Sequence, residues 1–489
     1  MSNTGWRQTC FACAVGGATL LSSVLSSSPA FAGGLYFTDR GVRPMGRGGA
    51  FVAGADDLGA IFYNPAGIVH AKRQALADIG FVLFHSEYTR SARVWQVDPN
   101  TGEPTGQAWD RTYPTAEGSA QILPIPTLAL SYDFGIEHAA FAIGMWAPYA
   151  AGARYEGKVD GNPNPGRYML LNLDGSALAI PGVWAAYQFM PELSAGIGFE
   201  MLMGQYRSQT VMSSCLPDRW MCAPEAPDYD AATQLSVGPI YAPSANLGVM
   251  FDPHPNVRIG ASYQLPFHVD APATTEVRVP SAAVFQDAYQ QGDKARVEMD
   301  FPWIARVGIE GRWPRFRGEV AYVYEAWSMH DKIVITPDDI VLRDVLTFPD
   351  EYRITPQTIT RNFKDTWSLR FGGETWFDVG AYQLDLRAGV MYEKSAVPEP
   401  YLSTLTIDLD KIVVGLGGSI HVTPTWRFDW LLARTFTTPA DVSTDEAKYE
   451  MLTPVRANKP PPELRDYVNA GHYEANATVV GVGMAVNYL

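Results

Sequence analysis

From about Leu76 to its C-terminus, the chain alternates apolar residues with polar or small ones at a period of two. This spacing places successive side chains on opposite faces of a β-strand. In the clearest run, Tyr382 to Tyr392, every second residue is apolar or aromatic. No segment beyond Ala32 offers the roughly 18 consecutive apolar residues of a membrane-spanning helix. The pattern therefore predicts an all-β protein.

Two features separate this chain from a soluble β-sandwich, which also alternates. Aromatic residues cluster at the ends of predicted strands, as in the interfacial girdles of transmembrane barrels; they are Trp303, Trp313, Trp376, Phe377, Trp426 and Trp430. Short turns also alternate with long polar loops along the chain. The turns lie at 134–137, 190–192, 252–255, 314–315, 378–380 and 423–425, and the loops at 91–122, 150–175, 213–236, 272–293, 337–363, 396–407 and 440–473. Such connections predict a closed transmembrane barrel of about 14 antiparallel strands.

The composition agrees with a barrel in lipid. Only 18% of the residues are charged, whereas a soluble domain usually has about 25%. Aromatic residues make up 12% of the chain. The formal net charge of -15 argues against nucleic acid as a partner.

The N-terminus has the pattern of an export signal rather than of folded structure. Arg7 is followed by an apolar, small-residue stretch at 11–25, and Ala30-Phe31-Ala32 matches a cleavage site. We therefore expect a signal peptide over 1–32 and a mature chain that begins at Gly33. Export without a helical span leaves a periplasmic, secreted or outer-membrane destination.

Two of the 4 cysteines, Cys10 and Cys13, lie in the predicted signal peptide. The other two, Cys215 and Cys222, flank a short Pro-containing stretch. In an oxidising compartment we expect them to form a disulfide in an extracellular loop. A metal site would need His or further Cys nearby, and the sequence offers none.

Residues 33–75 do not alternate. They carry, in order, the motifs Gly33-Gly34-Leu35-Tyr36-Phe37, Met45-Gly46-Arg47-Gly48-Gly49-Ala50, Ala55-Asp56-Asp57 and Tyr63-Asn64-Pro65-Ala66-Gly67. In this order, between a signal peptide and a barrel, they closely resemble the N-terminal hatch of the FadL family, the long-chain fatty acid transporters and their aromatic-hydrocarbon relatives. Later segments such as Leu123-Pro124-Ile125-Pro126 also resemble the family, so the resemblance covers nearly the whole mature chain. A nucleotide-binding loop at 46–49 is excluded, because no complete phosphate-loop motif or strand–helix frame surrounds it.

The resemblance implies a hatch at 33–75 inside a barrel of 76–489, with a hatch turn at Asn64, Pro65, Ala66 and Gly67. It also implies that substrate is captured between extracellular loops, moves to a pocket beside the hatch and leaves laterally through a kinked third strand. That strand is expected at about 138–149. The expected pathway residues are Phe141, Gly144, Met145 and Trp146. Trp220 and Met221, in a long loop, are expected to form an apolar entry site. A lipid-facing position for Trp146 is an open alternative.

Physical reasoning from the residues agrees with a plugged barrel. About 14 strands leave a sizeable lumen unless it is filled. Lumen-facing charges could anchor a plug or line a solvated interior; they are Arg306, Glu310, Arg370, Glu374, Asp385 and Arg387. Burial of each CH₂ is worth about 0.8 kcal/mol, so a plugged barrel with an apolar pocket suits hydrophobic cargo better than an open pore does.

The sequence thus predicts a monomeric outer-membrane transporter in contact with lipid, which takes up hydrophobic small molecules by passive diffusion and needs no cofactor. A general porin or a structural barrel is the alternative. An enzyme is disfavoured because no nucleophile, base and acid cluster in the sequence. Fatty acids, alkanes, monoaromatics and signalling lipids all remain open as cargo.

Overall fold

The computed structural model describes residues 39–98, 101, 104–120, 123–147, 153–214, 226–346, 350–454 and 467–488. The predicted signal peptide, the predicted disulfide of Cys215 and Cys222, and the expected entry residues Trp220 and Met221 lie outside the described residues. Among the described residues, no helix is long and apolar enough to cross a bilayer.

A closed, antiparallel barrel of 14 strands forms the body of the protein, as the sequence predicts. Each strand pairs with the next along the chain, and the last pairs with the first from Gln74 opposite Asn487 to Arg90 opposite Gly471. The barrel strands are β1 (Gln74–Val97), β2 (Leu123–Tyr132), β3 (Ala139–Trp146), β4 (Ala177–Met190), β5 (Leu193–Ser213), β6 (Asp230–His254), β7 (Val257–Gln264), β8 (Ile304–Trp313), β9 (Phe316–Glu325), β10 (Thr366–Val379), β11 (Tyr382–Glu393), β12 (Lys411–His421), β13 (Trp426–Thr437) and β14 (Gly471–Asn487).

The two faces of the barrel wall differ in chemistry, and the predicted alternation is the cause. In β8, Val307 and Ile309 are exposed on the outer surface. On either side of this pair along the strand, Arg306 and Glu310 are buried on the inner side. An apolar outer band with charged side chains inside is the arrangement that a barrel needs in lipid.

The short turns lie where the sequence predicts them, but three of the predicted loops overlap barrel strands. Residues 91–97 continue β1 and pair with the strand Pro104–Thr112. Residues 230–236 begin β6 and pair with β5. Residues 471–473 begin β14 and pair with β1. Polar composition suggested loops there, yet cross-strand hydrogen bonding carries the ladder beyond the apolar band. The barrel wall therefore extends into the loop-bearing end of the protein.

Further short elements cap the loop-bearing end. The remaining strands are Ala116–Ala120, Ala153–Tyr155, Lys158–Val159, Asn162–Pro163, His268–Arg278, Tyr289–Gln291, Lys294–Asp300, Lys332–Pro337, Val341–Arg343, Glu351–Arg353, Gln357–Thr360 and Ala440–Val442. Short 3₁₀ turns occur at Pro227–Tyr229, Ala283–Phe285, Trp327–Met329 and Glu399–Tyr401.

The N-terminal segment, defined here as residues 39–71, contains the helices α1 (Val42–Gly46) and α2 (Ala60–Tyr63) and the 3₁₀ turn Pro65–His70. Nearly all of its residues are buried, including the charged Arg43 and Arg47. The chain then enters β1 at Gln74. The segment's partners are side chains and backbone of the barrel strands, which define the candidate site.

Candidate functional site

The predicted hatch turn lies where the N-terminal segment meets β6. The Asn64 side-chain amide donates hydrogen bonds to the carbonyl oxygens of Val52 (3.0 Å) and Val249 (3.1 Å). Its Oδ1 accepts a hydrogen bond from the Ala66 amide at 3.2 Å, and the Gly67 amide donates to the Asn64 carbonyl at 3.0 Å. The four predicted residues, Asn64, Pro65, Ala66 and Gly67, are therefore held together, and Asn64 ties them to the wall. Pro65 starts the 3₁₀ turn, where its fixed φ fits.

Glycines on the barrel wall allow the segment to approach closely. A Cβ atom at Gly248 would overlap the Asn64 side chain, and one at Gly389 would overlap the backbone of Arg47. The same holds on other strands, where a Cβ would clash with segment backbone at Gly196, Gly260, Gly372 and Gly415. Backbone-to-backbone approach of this kind needs residues without side chains.

Buried charges hold the middle of the segment. Arg47, which is fully buried, pairs with Glu310 of β8 at 2.7 Å and with Glu319 of β9 at 3.4 Å. The Glu319 carboxylate also accepts hydrogen bonds from three consecutive segment amides, those of residues 52, 53 and 54, at 2.7, 3.0 and 2.8 Å. Charge-assisted bonds of this kind are about twice as strong as neutral ones. Glu319 is thus a main attachment point of the segment.

A second buried cluster surrounds Arg43. Its guanidinium pairs with Asp56 (2.6 Å), Asp57 (2.9 Å) and Glu374 of β10 (3.0 Å). Asp57 in turn pairs with Arg427 of β13 at 2.7 Å. Burial alone would raise the pKa of Asp57, but Arg43 and Arg427 outweigh burial and lower this pKa below its usual range. Asp57 therefore remains ionised at neutral pH, and the cluster stays intact.

The structure brings most of the predicted anchor residues to the segment. Arg370 pairs with Asp39, Arg306 lies over the Phe62 ring at 4.5 Å, and Glu310 and Glu374 pair with segment arginines as described. Arg387 forms an ion pair with Glu374, and Asp385 forms one with Arg387, so both are linked to the segment indirectly. Sequence reasoning did not single out Glu319 as an anchor. The signal was present, since Glu310 and Glu319 both alternate with outward apolar residues on neighbouring strands.

The third barrel strand is shorter than the sequence predicts, since β3 ends at Trp146. Trp146 points inward and packs edge-on against Phe62 of the segment, with ring centroids 5.0 Å apart. The lipid-facing alternative for Trp146 is therefore wrong. Gly144 shares this inward face, whereas Phe141 is exposed on the outer face and Met145 follows the same outward alternation.

Within the described residues, β2 and β3 are paired as far as Thr127 and Trp146, and the Ala147 amide donates a further hydrogen bond to the Pro126 carbonyl at 3.1 Å. On its other side, β2 remains paired with β1 as far as Leu123.

A cavity of about 210 Å³ lies among the loop strands and the loop-side ends of the barrel strands. Its lining includes Leu202 of β5, Ile240 of β6 and the loop-strand residues Val269, Met299 and Ile335. None of the described lining residues carries a charge. These five side chains belong to the same packed apolar cluster as Ile61, Phe62 and other segment residues.

The described residues show no group of three or more His, Cys, Asp or Glu side chains that could hold a metal ion. Many of the buried charges instead pair with one another between segment and wall. Chemically, the arrangement offers an apolar compartment at the loop-bearing end and an N-terminal segment attached to the wall by ion pairs.

Comparisons with known proteins agree with this architecture. The family model described as outer membrane protein transport protein (OMPP1/FadL/TodX) matches residues 23–488. A Pseudomonas aeruginosa FadL homologue aligns with 94% of this chain and 100% of its own, at 15% identity and a TM-score of 0.67. The P. putida toluene transporter TodX aligns with 92% of this chain and 98% of its own, at 14% identity and a TM-score of 0.57. At such identities the likeness shows the fold. No curated protein matches the sequence.

The role of Glu319 can be tested by the substitution Glu319→Gln. The neutral amide cannot accept three segment amides and pair with Arg47, so local opening of residues 52–54 should become easier by about 1–3 kcal/mol. Hydrogen exchange of these amides in the folded barrel measures the change. Glu298→Gln, on an exposed loop strand, is the matched control. Unchanged protection of 52–54 in Glu319→Gln would contradict the assignment.

Proposed function

This chain belongs to the OMPP1/FadL/TodX family of outer-membrane transport proteins, and we propose from this premise that it takes up hydrophobic compounds by passive diffusion through a plugged barrel. Members of the family are transport channels rather than enzymes. The observation that carries the proposal is the apolar cavity at the loop-bearing end, whose described lining carries no charge.

The energetics of the cavity favour apolar cargo. Each CH₂ that leaves water for an apolar site gains about 0.8 kcal/mol, so a chain of several methylenes is held without any specific polar contact. A water-filled pore would forfeit this gain. Cargo of the fatty acid or hydrocarbon type therefore fits the site, and small polar solutes do not.

We assign the role of the hatch to residues 33–75 and that of the transmembrane barrel to residues 76–489. The support is the burial of 39–71 and their attachment through Asn64, Arg43 and Arg47 to wall residues on several strands. A segment held by buried ion pairs would close the lumen to bulk water at rest.

We place the exit of the cargo at the side of the barrel, beside the end of β3. Support comes from Pro124 and Pro126 of β2, which have no amide hydrogen to donate to a neighbouring strand. Trp146 also contacts Phe62 of the segment. A movement of the segment would therefore displace Trp146 at the end of β3. Cargo that leaves here enters the lipid phase directly.

A general porin or structural barrel is the alternative, and the attached N-terminal segment argues against it. A porin needs a continuous water-filled lumen, whereas here a segment with nearly every residue buried is attached to inward-facing residues of the wall. We further propose that the protein acts as a monomer surrounded by outer-membrane lipid.

Uptake measurements test the proposal directly. Cells with the protein should accumulate radiolabelled hydrophobic compounds faster than cells without it, with no gain for a small polar sugar. Ile240→Glu places a charge in the cavity and should lower uptake by about tenfold or more, because a buried charge is strongly unfavourable. Leu346→Glu, at an exposed loop position, is the control. Equal uptake with and without the protein would refute the function.

The hatch turn yields a second prediction. Asn64→Ala removes the bonds to Val52 and Val249, and should alter uptake of hydrophobic cargo while barrel assembly, seen as heat-modifiable migration on a gel, stays intact. Pro65→Ala should act in the same direction, because it loosens the turn. If both variants assemble and transport like the natural protein, the turn has no gating role. Parallel loss of barrel yield and uptake would indicate a purely structural turn.

The lateral exit can be tested by photo-cross-linking. A benzophenone side chain in place of Ala147, at the end of the β2–β3 ladder, should capture a labelled hydrophobic compound during uptake. The comparison position is Ile309, which faces outward on the opposite part of the wall. A clear excess of adducts at 147 is expected. Equal labelling at both positions would mean that only bulk lipid delivers the probe.

A further inference from the structure

A groove of about 480 Å³ lies on the outer surface of the barrel wall, across the strands β2 to β5. It shares no described lining residue with the cavity at the loop-bearing end. Its lining includes Phe141 and Ile143 of β3, Val183 of β4 and Phe199 of β5, and all four side chains are exposed. Outward apolar residues of a transmembrane barrel face lipid. The groove is therefore a hollow in the lipid-facing surface of the wall.

The hollow arises because one outward position on β4 is small. Ala185, which lines the groove, pairs with Phe141 on one neighbouring strand and with Ile197 on the other. Side chains opposite each other on adjacent strands stand about 5 Å apart, so the Ala185 methyl group leaves space between two larger side chains. Phe134, in the turn after β2, borders the same space and packs edge-on against Phe141, with ring centroids 5.7 Å apart.

Two cations lie beside the turn-side end of the groove. The Arg73 guanidinium lies over the ring of Tyr132, a lining residue, at 5.3 Å, and it pairs with Asp133 at 3.1 Å. A hydrogen bond from the Gly135 amide, together with the charges of Arg73 and Lys72, lowers the pKa of Asp133. Lys72 thus places a second positive charge near Asp133. Arg73, Lys72 and Asp133 together carry a net charge of one positive unit.

The physical chemistry of a bilayer determines which molecule suits such a surface. The hydrophobic effect does not distinguish the groove from the surrounding lipid, because lipid tails are as apolar as the lining. An unfilled hollow, however, leaves its lining without partner atoms, and a flexible acyl chain restores these van der Waals contacts. Positive charge at a membrane interface attracts phosphate head groups. An apolar hollow next to Lys72 and Arg73 therefore matches a molecule with both an acyl chain and a phosphate.

We propose that the groove and the adjoining Lys72 and Arg73 form a binding site for a phospholipid, whose acyl chain lies along Ala185 and whose phosphate contacts the two cations. The site is on the outside of the wall and is independent of the cavity that we assign to cargo. A lipid without a phosphate fills the hollow but makes no charged contact. The bound phospholipid is thus selected by its head group at the turn-bearing end of the barrel.

Native mass spectrometry of the full-length protein, released from detergent micelles, tests the site. The probes are phosphatidylethanolamine and a diacylglycerol with the same acyl chains. The natural protein should retain one phosphatidylethanolamine at saturation, and it should bind the diacylglycerol at least about tenfold more weakly, because charge-assisted contacts to the phosphate are absent.

Ala185→Trp fills the hollow and should weaken the binding of phosphatidylethanolamine by about tenfold, because the acyl chain loses its contacts. Barrel assembly, seen as heat-modifiable migration on a gel, should be unchanged, since a large apolar side chain is tolerated on the lipid-facing surface. Ala388→Trp is the matched control, because Ala388 is exposed on the outer face of β11, away from the groove. Ala185→Leu provides a smaller filling if the tryptophan variant fails to assemble.

The head-group contact is tested by Lys72→Gln, which should weaken the binding of phosphatidylethanolamine by about threefold or more and leave that of the diacylglycerol unchanged. Arg315→Gln is its control, because Arg315 lies at another short turn and pairs with Asp378 at 2.9 Å. Equal retention of the two lipids by the natural protein would overturn the proposal. So would unsaturable binding that Ala185→Trp does not reduce, since the wall would then contact only bulk lipid. Neither result depends on whether the protein transports hydrophobic compounds.

Discussion

The need to pair every backbone amide in a medium without water determines the rest of this structure. In hydrocarbon an unpaired N–H or C=O is unfavourable by several kcal/mol, so a sheet in a membrane must close on itself. Here closure is made by β1 and β14, which stay in register from Gln74 to Arg90. Closure of 14 strands creates a lumen, and the lumen has to be filled or remain a pore.

The N-terminal segment is attached to the barrel wall by two kinds of contact. Glycines such as Gly248 and Gly389 let the backbone of the N-terminal segment touch the wall, while ion pairs such as Arg47–Glu310 fix its position. Buried ion pairs contribute little net stability compared with apolar packing, but they are specific, since displacement of one partner leaves the other charge uncompensated. An attachment by ion pairs therefore favours one defined resting position of the segment, whereas apolar packing alone would permit several.

Charged and apolar surfaces meet at different places in the molecule. One set of buried ion pairs joins the segment to the wall, and another, Lys411 with Glu393 and Asp408, lies at the loop-bearing end. The loop end also holds a cavity whose described lining is free of charge. Arg361, which donates a hydrogen bond to the cavity-lining Thr406, is buried near this cavity.

The sequence alone determined the wall of the barrel. The period-two pattern, the short turns and the aromatic strand ends each report local geometry, and so the strand number and the inward position of Arg306 and Glu310 could be predicted. The ordered motifs of 33–75 also predicted a separate N-terminal segment with a turn at Asn64. Only the tertiary structure decided which residues meet: Glu319 with the amides of 52–54, Trp146 with Phe62, and Arg361 with Thr406. The physical reason is that these partners lie on different strands and loops, and their distances depend on how the barrel closes and not on any local spacing.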